Sequence, residues 1–151
     1  MDILVAALIV DTVTASYLLG SGRGGTEVRN WYKTLRIGAY SMDVLSLVIG
    51  TYLALQIAPD SSIWGQILAV VIVQMVHDIA FGAFVKSKAA KGPLMGLFKR
   101  YANEMGVSIL IADAIMMVAT LLLAKQLTGR KDLWFLGAVA AYVGMLVVYS
   151  F

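Results

Sequence analysis

His77 and Asp78 are the residues whose types and spacing could most readily do chemistry. They lie side by side in Val70–Val85, an apolar run interrupted elsewhere only by Gln74, and His77 is the only histidine in the chain. An ionised aspartate at the centre of a bilayer helix costs roughly 2.5–3.5 kcal/mol on insertion scales, so such residues usually face a protein interior and mark function. The run therefore predicts a polar site inside a membrane-spanning helix.

Three further aspartates, Asp11, Asp43 and Asp113, each lie in a different apolar segment. Successive spanning helices run in opposite directions, and the rise of a helix is ~1.5 Å per residue, so all four aspartates fall ~10–14 Å from the same end of the bundle. We therefore expect the four carboxylates to face inward at one level. Together with His77 they form a predicted binding site for protons or a cation.

Polar residues near the aspartates are expected to support this site. They are Thr14 beside Asp11, Tyr40 and Ser46 on the face of Asp43, and Gln74 one turn before Asp78. The apolar segments contain no Lys or Arg, so the carboxylates must share protons, bind a cation or contact water. The alternative is that single acids only form hydrogen bonds that lock helices together.

The same side chains suit two more specific roles. Because histidine changes charge near neutral pH, His77 is the expected pH-sensitive element of a transport pathway. Carboxylate and imidazole groups also bind Mg²⁺, Mn²⁺ or Zn²⁺. A divalent cation held by Asp43, His77, Asp78 and Asp113 is therefore a second hypothesis for the site.

The elements that must position these residues are membrane helices. Apolar residues make up 60% of the 151-residue chain and charged residues 14%, and the mean hydropathy is +0.84. Five apolar segments cover residues 3–20, 37–58, 63–85, 105–124 and 133–151. Each is near the ~20 residues that a helix needs to cross a bilayer. The sequence thus predicts an all-α integral membrane protein, a single domain of five transmembrane helices, and the lack of cysteine excludes disulfides and thiol chemistry.

A short amphipathic interfacial helix is predicted before the fourth segment, beginning near Pro93. A second short helix, capped by Thr26, is indicated before the second segment, with Trp31 and Tyr32 expected among lipid headgroups. The basic residues expected to bind headgroups are Arg29, Lys33, Arg36, Lys99 and Arg100. The lipid bilayer is therefore the expected partner, and nucleic acid is not.

The distribution of basic residues predicts the orientation. The loops after the first and third segments hold nine Lys and Arg residues, whereas the N-terminus and the turn after the second segment hold none. The positive-inside rule then places the N-terminus outside and the C-terminus in the cytoplasm. The fifth segment is uncharged and carries Gly137, Ala141 and Gly144, so we expect it at the periphery or in the interface of a homo-oligomer.

Three stretches carry a resemblance to a known family. They are Arg29-Asn30-Trp31-Tyr32-Lys33 leading to Asp43, Val76-His77-Asp78, and Pro93 through Gly106 with Asp113 and Met116-Met117. With these motifs the chain resembles a family of small multi-span membrane proteins encoded by large DNA viruses of algae and other protists. The resemblance implies a viral or infected-host membrane and no particular activity.

Three functions are consistent with the sequence. The first is a proton or cation channel or carrier that uses the intramembrane aspartates and His77. The second is a membrane-embedded, metal-dependent enzyme acting on a phosphate-bearing lipid. The third is a structural protein of a viral membrane, which needs no site.

Overall fold

The structure, a computed structural model, describes residues 1–87 and 89–151. In these residues the chain forms seven α-helices and no β-strand. The helices are α1 Asp2–Ser21, α2 Gly25–Leu35, α3 Ile37–Ile57, α4 Ile63–Lys86, α5 Pro93–Met105, α6 Val107–Leu127 and α7 Leu133–Ser150. Five of them (α1, α3, α4, α6 and α7) are long and apolar enough to cross a membrane. The prediction of an all-helical chain with five such segments is confirmed.

The ends of the helices follow from local sequence. Gly22, with φ of 72°, ends α1 in the left-handed conformation that glycine adopts without steric cost. The Ser62 hydroxyl accepts a hydrogen bond from the Gly65 amide at 3.3 Å and caps α4. Gly106, with φ of 53°, separates α5 from α6, which is why α6 begins at Val107 and not at the predicted residue 105.

The first six helices form two similar units, a feature that the sequence did not reveal. In each unit a long helix leads to a short one, and a single residue then joins the short helix to a second long helix. The joining residues have nearly the same backbone conformation, with φ 53° and ψ −126° at Arg36 and φ 53° and ψ −131° at Gly106. The packing follows the same pattern, because α1 contacts both α3 and α6 while α4 contacts both α6 and α3. The two units therefore have the same helix order and pack against each other in an equivalent way.

The short helices α2 and α5 pack against each other, and we call them the short-helix pair. The Trp31 and Phe98 rings lie 4.9 Å apart, and the Glu104 carboxylate accepts hydrogen bonds from the Thr26 and Glu27 amides at 2.9 and 2.6 Å. The start of α2 thus meets the end of α5, so the helices run antiparallel. Trp31 is buried; the expectation that it lies among headgroups is therefore wrong.

Helix α7 lies outside the two units, against α1 and α3. This is the peripheral position predicted for the uncharged segment. Close approach depends on glycine, since a Cβ atom at Gly137 would lie 3.2 Å from Val5 Cγ2, and one at Gly144 would overlap the Tyr40 ring. The Tyr40 and Thr12 hydroxyls are 2.8 Å apart, and the Thr12 hydroxyl donates to the carbonyl of Ala140 on α7 at 3.2 Å.

Replacing Gly144 with alanine should destabilise the protein, because the added methyl group must displace the Tyr40 ring. Overpacking of this kind typically costs about 1–3 kcal/mol. Gly82→Ala is the matched control, since a Cβ atom there meets nothing within 4 Å. Thermal unfolding in detergent should show a lower midpoint for Gly144→Ala only, and equal midpoints for the two variants would contradict the packing of α7.

Candidate functional site

The four predicted aspartates come from four different long helices and lie close to one another, and we call them the acidic cluster. The charge of Asp11 on α1 interacts with those of Asp43 on α3 and Asp113 on α6. Asp113 in turn interacts with Asp43 and with Asp78 on α4. Asp113 thus interacts with all three other aspartates, whereas their predicted role as a binding site for protons or a cation stays a prediction.

Asp11 is the most deeply buried member of the acidic cluster. Its exposed fraction is 1%, and neither of its carboxylate oxygens accepts a hydrogen bond from residues 1–87 or 89–151. Burying an unpaired carboxylate is very costly, and a group in this position usually neutralises. Asp11 therefore needs a proton or a bound cation.

Asp43 has two partners that the sequence did not indicate. Its Oδ2 atom accepts hydrogen bonds from Trp31 Nε1 at 3.2 Å and from the Tyr32 hydroxyl at 2.8 Å. Burial, together with the nearby Asp43 charge, raises the pKa of the Tyr32 phenol well above its usual value, so Tyr32 remains protonated and able to donate. These donors are 11 and 12 residues from Asp43 along the chain, and only the turn at Arg36 brings α2 back onto α3.

Asp78 is supported by Gln74, as predicted. The Gln74 amide donates to Asp78 Oδ1 at 2.7 Å, while Oδ2 is buried and has no partner in the described part of the chain. His77 Nδ1 lies 3.1 Å from Oδ1, but the His77 side chain is 55% exposed. His77 thus lies at the outer edge of the site, with its ring stacked on Phe81 at a centroid distance of 6.0 Å.

Asp113 is half-buried and lies near Tyr101 of the short-helix pair. Burial raises the pKa of the Tyr101 phenol, and the charges of Asp113, Asp43 and Asp78 raise it further. This interaction with three members of the acidic cluster shows that Tyr101, like Trp31 and Tyr32, belongs to the surroundings of the site.

The other predicted supporting residues are less involved. Tyr40 turns away from Asp43 toward α1 and α7, where its hydroxyl lies beside Thr12 and donates to the Leu8 carbonyl at 3.3 Å. Thr14 and Ser46 are half-buried. The Tyr40 hydroxyl therefore joins α3 to α1 and α7 and makes no hydrogen bond to the acidic cluster within the described residues.

The metal hypothesis gains no ligand set from the structure. Among residues 1–87 and 89–151, no three His, Asp or Glu side chains come together in a way that could hold a metal ion. Of the proposed ligands, His77 has a side chain that is mostly exposed; the others are Asp43, Asp78 and Asp113.

Four of the five basic residues expected at headgroups contact the protein. Arg36 Nη1 donates to the Val148 carbonyl near the end of α7 at 3.4 Å, Arg100 pairs with Glu27 at 3.2 Å, and Lys99 donates to the Ala90 carbonyl at 3.2 Å. Arg29 Nη2 donates to the Leu19 carbonyl at 3.4 Å, and the fifth residue, Lys33, is exposed. Arg36 and Arg100 therefore help to hold helices together, whatever they contribute at a membrane surface.

Removing the donors to Asp43 should weaken the attachment of α2 to the bundle. We expect Tyr32→Phe to lower the free energy of unfolding by about 1–3 kcal/mol, because a buried acceptor loses a hydrogen bond. Tyr142→Phe is the matched control, since Tyr142 is 60% exposed. Thermal unfolding of both variants tests this, and equal stability would show that the hydrogen bond contributes nothing.

Comparisons with protein-family models, with curated proteins and with solved structures found no match for this chain.

Proposed function

We propose that this protein is a multi-pass membrane protein that moves protons or small cations through the acidic cluster. The observation that carries the proposal is Asp11, a fully buried carboxylate to which no described residue donates a hydrogen bond. Ionisable residues inside membrane helices are common in proton and ion pathways. The predicted spans contain no Lys or Arg, so the positive charge that the carboxylates need must come from the transported species.

Insertion into a bilayer is supported by the exposed surface of the long helices. Large apolar side chains point outward on all five, including Val13, Ile49, Val76, Ile115 and Phe135. Such a surface would be unfavourable in water and suits hydrocarbon. We place the short-helix pair at the membrane surface, where α5 exposes Arg100, Asn103 and Glu104 while Leu97 is buried.

The orientation follows from charge. Of the eleven Lys and Arg residues in the described part of the chain, eight lie at the end of the bundle that carries the short-helix pair, so we assign this end to the cytoplasm. At the end of the bundle away from the short-helix pair, the Asp2 carboxylate at the start of α1 accepts a hydrogen bond from Thr128. At the end that carries the short-helix pair, Arg36 donates to the last turn of α7. The N-terminus then lies outside and the C-terminus inside.

Buried polar residues continue from the acidic cluster toward the outer end. Gln74 lies one turn beyond Asp78, Thr51 and Thr120 lie about two turns beyond Asp43 and Asp113, and Gln66 lies near the outer end of α4. All four are buried. Polar side chains at successive depths are what a pathway across the membrane requires.

The buried side chain of Met117 interrupts this series, between the level of the cluster and that of the two threonines. Its sulfur accepts a hydrogen bond from the Thr51 hydroxyl at 3.8 Å, and its methyl group fills the space next to Gly50. A flexible thioether can move aside more easily than a branched side chain, so Met117 can separate the two parts of the pathway without sealing it permanently.

The other two hypotheses stay predictions. A scaffold of a viral or infected-host membrane and a metal-dependent lipid enzyme are compatible with five spanning helices, but no observation in the described residues favours either. A second copy of the chain as a partner, on the exposed face of α7, likewise remains a prediction.

Asp11→Asn should suppress transport by purified protein in liposomes, because it removes the charge that a cation or a proton must neutralise. We expect the flux of protons, Na⁺ or K⁺ down a gradient to fall roughly tenfold or more, as for a loss of about 1.4 kcal/mol in binding. Asp60→Asn, in the exposed turn after α3, is the matched control. Flux that is unchanged in Asp11→Asn, together with lower thermal stability, would mean that Asp11 only holds helices together. Absence of flux in the unmutated protein would refute transport.

The orientation can be tested separately with single cysteines, since the chain has none of its own. In sealed vesicles, a membrane-impermeant thiol reagent added outside should label Ser61→Cys, in the turn between α3 and α4. It should label Lys91→Cys, before α5, only after permeabilisation. The reverse pattern would invert the topology.

A further inference from the structure

We propose that the short-helix pair is the cytoplasmic gate of the acidic cluster, and that Trp31 and Tyr32 couple the gate to the state of Asp43. This inference rests on the proposed function, because it assigns a gate to that pathway. Trp31 and Tyr32 act as positioning residues: they hold α2 over the cluster through Asp43.

Contacts between α2 and α5 hold the pair closed. Arg100 forms an ion pair with Glu27 at 3.2 Å, and Glu104 accepts hydrogen bonds from two amides at the start of α2. The Trp31 and Phe98 rings pack at 4.9 Å. These contacts cross from one short helix to the other, so separating the pair opens the end of the bundle.

The link to the cluster is the pair of hydrogen bonds to one oxygen. Trp31 Nε1 and the Tyr32 hydroxyl both donate to Asp43 Oδ2, at 3.2 and 2.8 Å. Hydrogen bonds to an ionised acceptor are about twice as strong as those to a neutral one. When Asp43 takes up a proton or a cation, both bonds weaken, and α2 is held less firmly.

The backbone allows each short helix to move as a rigid unit. Residues with positive φ bound both helices, with Gly25 (77°) and Arg36 (53°) at the ends of α2 and Gly92 (100°) and Gly106 (53°) at the ends of α5. Sharp changes of chain direction at element ends are where hinges absorb large backbone rotations. The long helices therefore need not move when the pair opens.

A chain of aromatic rings connects the gate to the other half of the cluster. Phe98 packs edge-on against Phe81 of α4 at 4.9 Å, and Phe81 stacks with His77 at 6.0 Å. His77 lies beside Asp78. The closed pair thus contacts Asp43 directly, through Trp31 and Tyr32, and reaches Asp78 through Phe81 and His77. A gate shared by both units requires contacts of this kind with each.

A removable cross-link tests the gate. In the cysteine-free chain, Glu27→Cys with Arg100→Cys can be bridged by a short bifunctional thiol reagent that a reductant cleaves. We expect bridging to lower flux in liposomes roughly tenfold or more, a change equivalent to about 1.4 kcal/mol, and reduction to restore it. Modification of Asp43 by a water-soluble carbodiimide, measured by peptide mass spectrometry, should fall in parallel.

The matched control is a bridge at the opposite end, Asp2→Cys with Thr128→Cys, whose native side chains also touch, at 2.9 Å. Bridging there should leave flux and Asp43 modification unchanged. If the unbridged protein carries flux and bridging α2 to α5 leaves that flux unchanged, the gate is overturned, even if carbodiimide modification falls. If no form of the protein carries flux but the bridge still protects Asp43, transport is wrong and closure by the pair stands.

A further test distinguishes coupling by Tyr32 from a purely structural contribution of its ring. Tyr32→Phe keeps the ring and loses the donor, so the pair should open more often and Asp43 modification should rise roughly tenfold. Adding the Glu27–Arg100 bridge to Tyr32→Phe should return modification to the bridged level, because the bridge replaces the lost attachment. Modification that rises equally with and without the bridge would overturn the coupling.

Discussion

Burial of negative charge without positive charge is the constraint on which the rest of this structure depends. Four aspartates share the interior of helices whose apolar segments contain no Lys or Arg. Each carboxylate must find donors, protons or cations, since an unpaired ion in an apolar interior is not stable. Asp78 obtains a donor from its own helix, through Gln74. Asp43 obtains two from α2, and these two hydrogen bonds attach α2 to α3.

The two units differ in chemistry at Asp11 and Asp78. Both aspartates lie on the first long helix of their unit, Asp11 ten positions before the end of α1 and Asp78 eight positions before the end of α4. One turn before Asp78 stands Gln74; one turn before Asp11 stands Ala7. The units are thus similar in backbone and different in chemistry: Asp78 accepts a hydrogen bond from its own helix, and Asp11 accepts none from the described residues.

Helix α7 adds a further asymmetry. It covers the outer face of α1 and α3, whereas the equivalent face of α4 and α6 carries an open apolar groove of about 600 Å³, lined by residues such as Met75, Ile111 and Val118. Arg36 has a φ of 53°. A residue with a side chain adopts this backbone conformation at a cost of about 1–3 kcal/mol, which a glycine avoids. The contacts of Arg36 with Val148 and the Tyr149 ring at the end of α7 offset that cost. Gly106, at the equivalent junction, needs no such support.

The sequence by itself determined the five long helices and the acidic cluster. Apolar runs of about twenty residues leave a chain few alternatives to spanning helices, and alternating helix directions bring Asp11, Asp43, Asp78 and Asp113 to one depth. The Gln74–Asp78 contact followed from helical spacing, because residues four apart share a face. Only the tertiary structure decided the rest: that Trp31 and Tyr32 point inward to Asp43, that His77 lies outside, that Tyr40 serves α7, and that α2 pairs with α5. Hydropathy and spacing describe one helix at a time, whereas these contacts depend on how helices distant in the chain rotate and turn against one another, above all at Arg36, whose residue type carries no signal for the turn it makes.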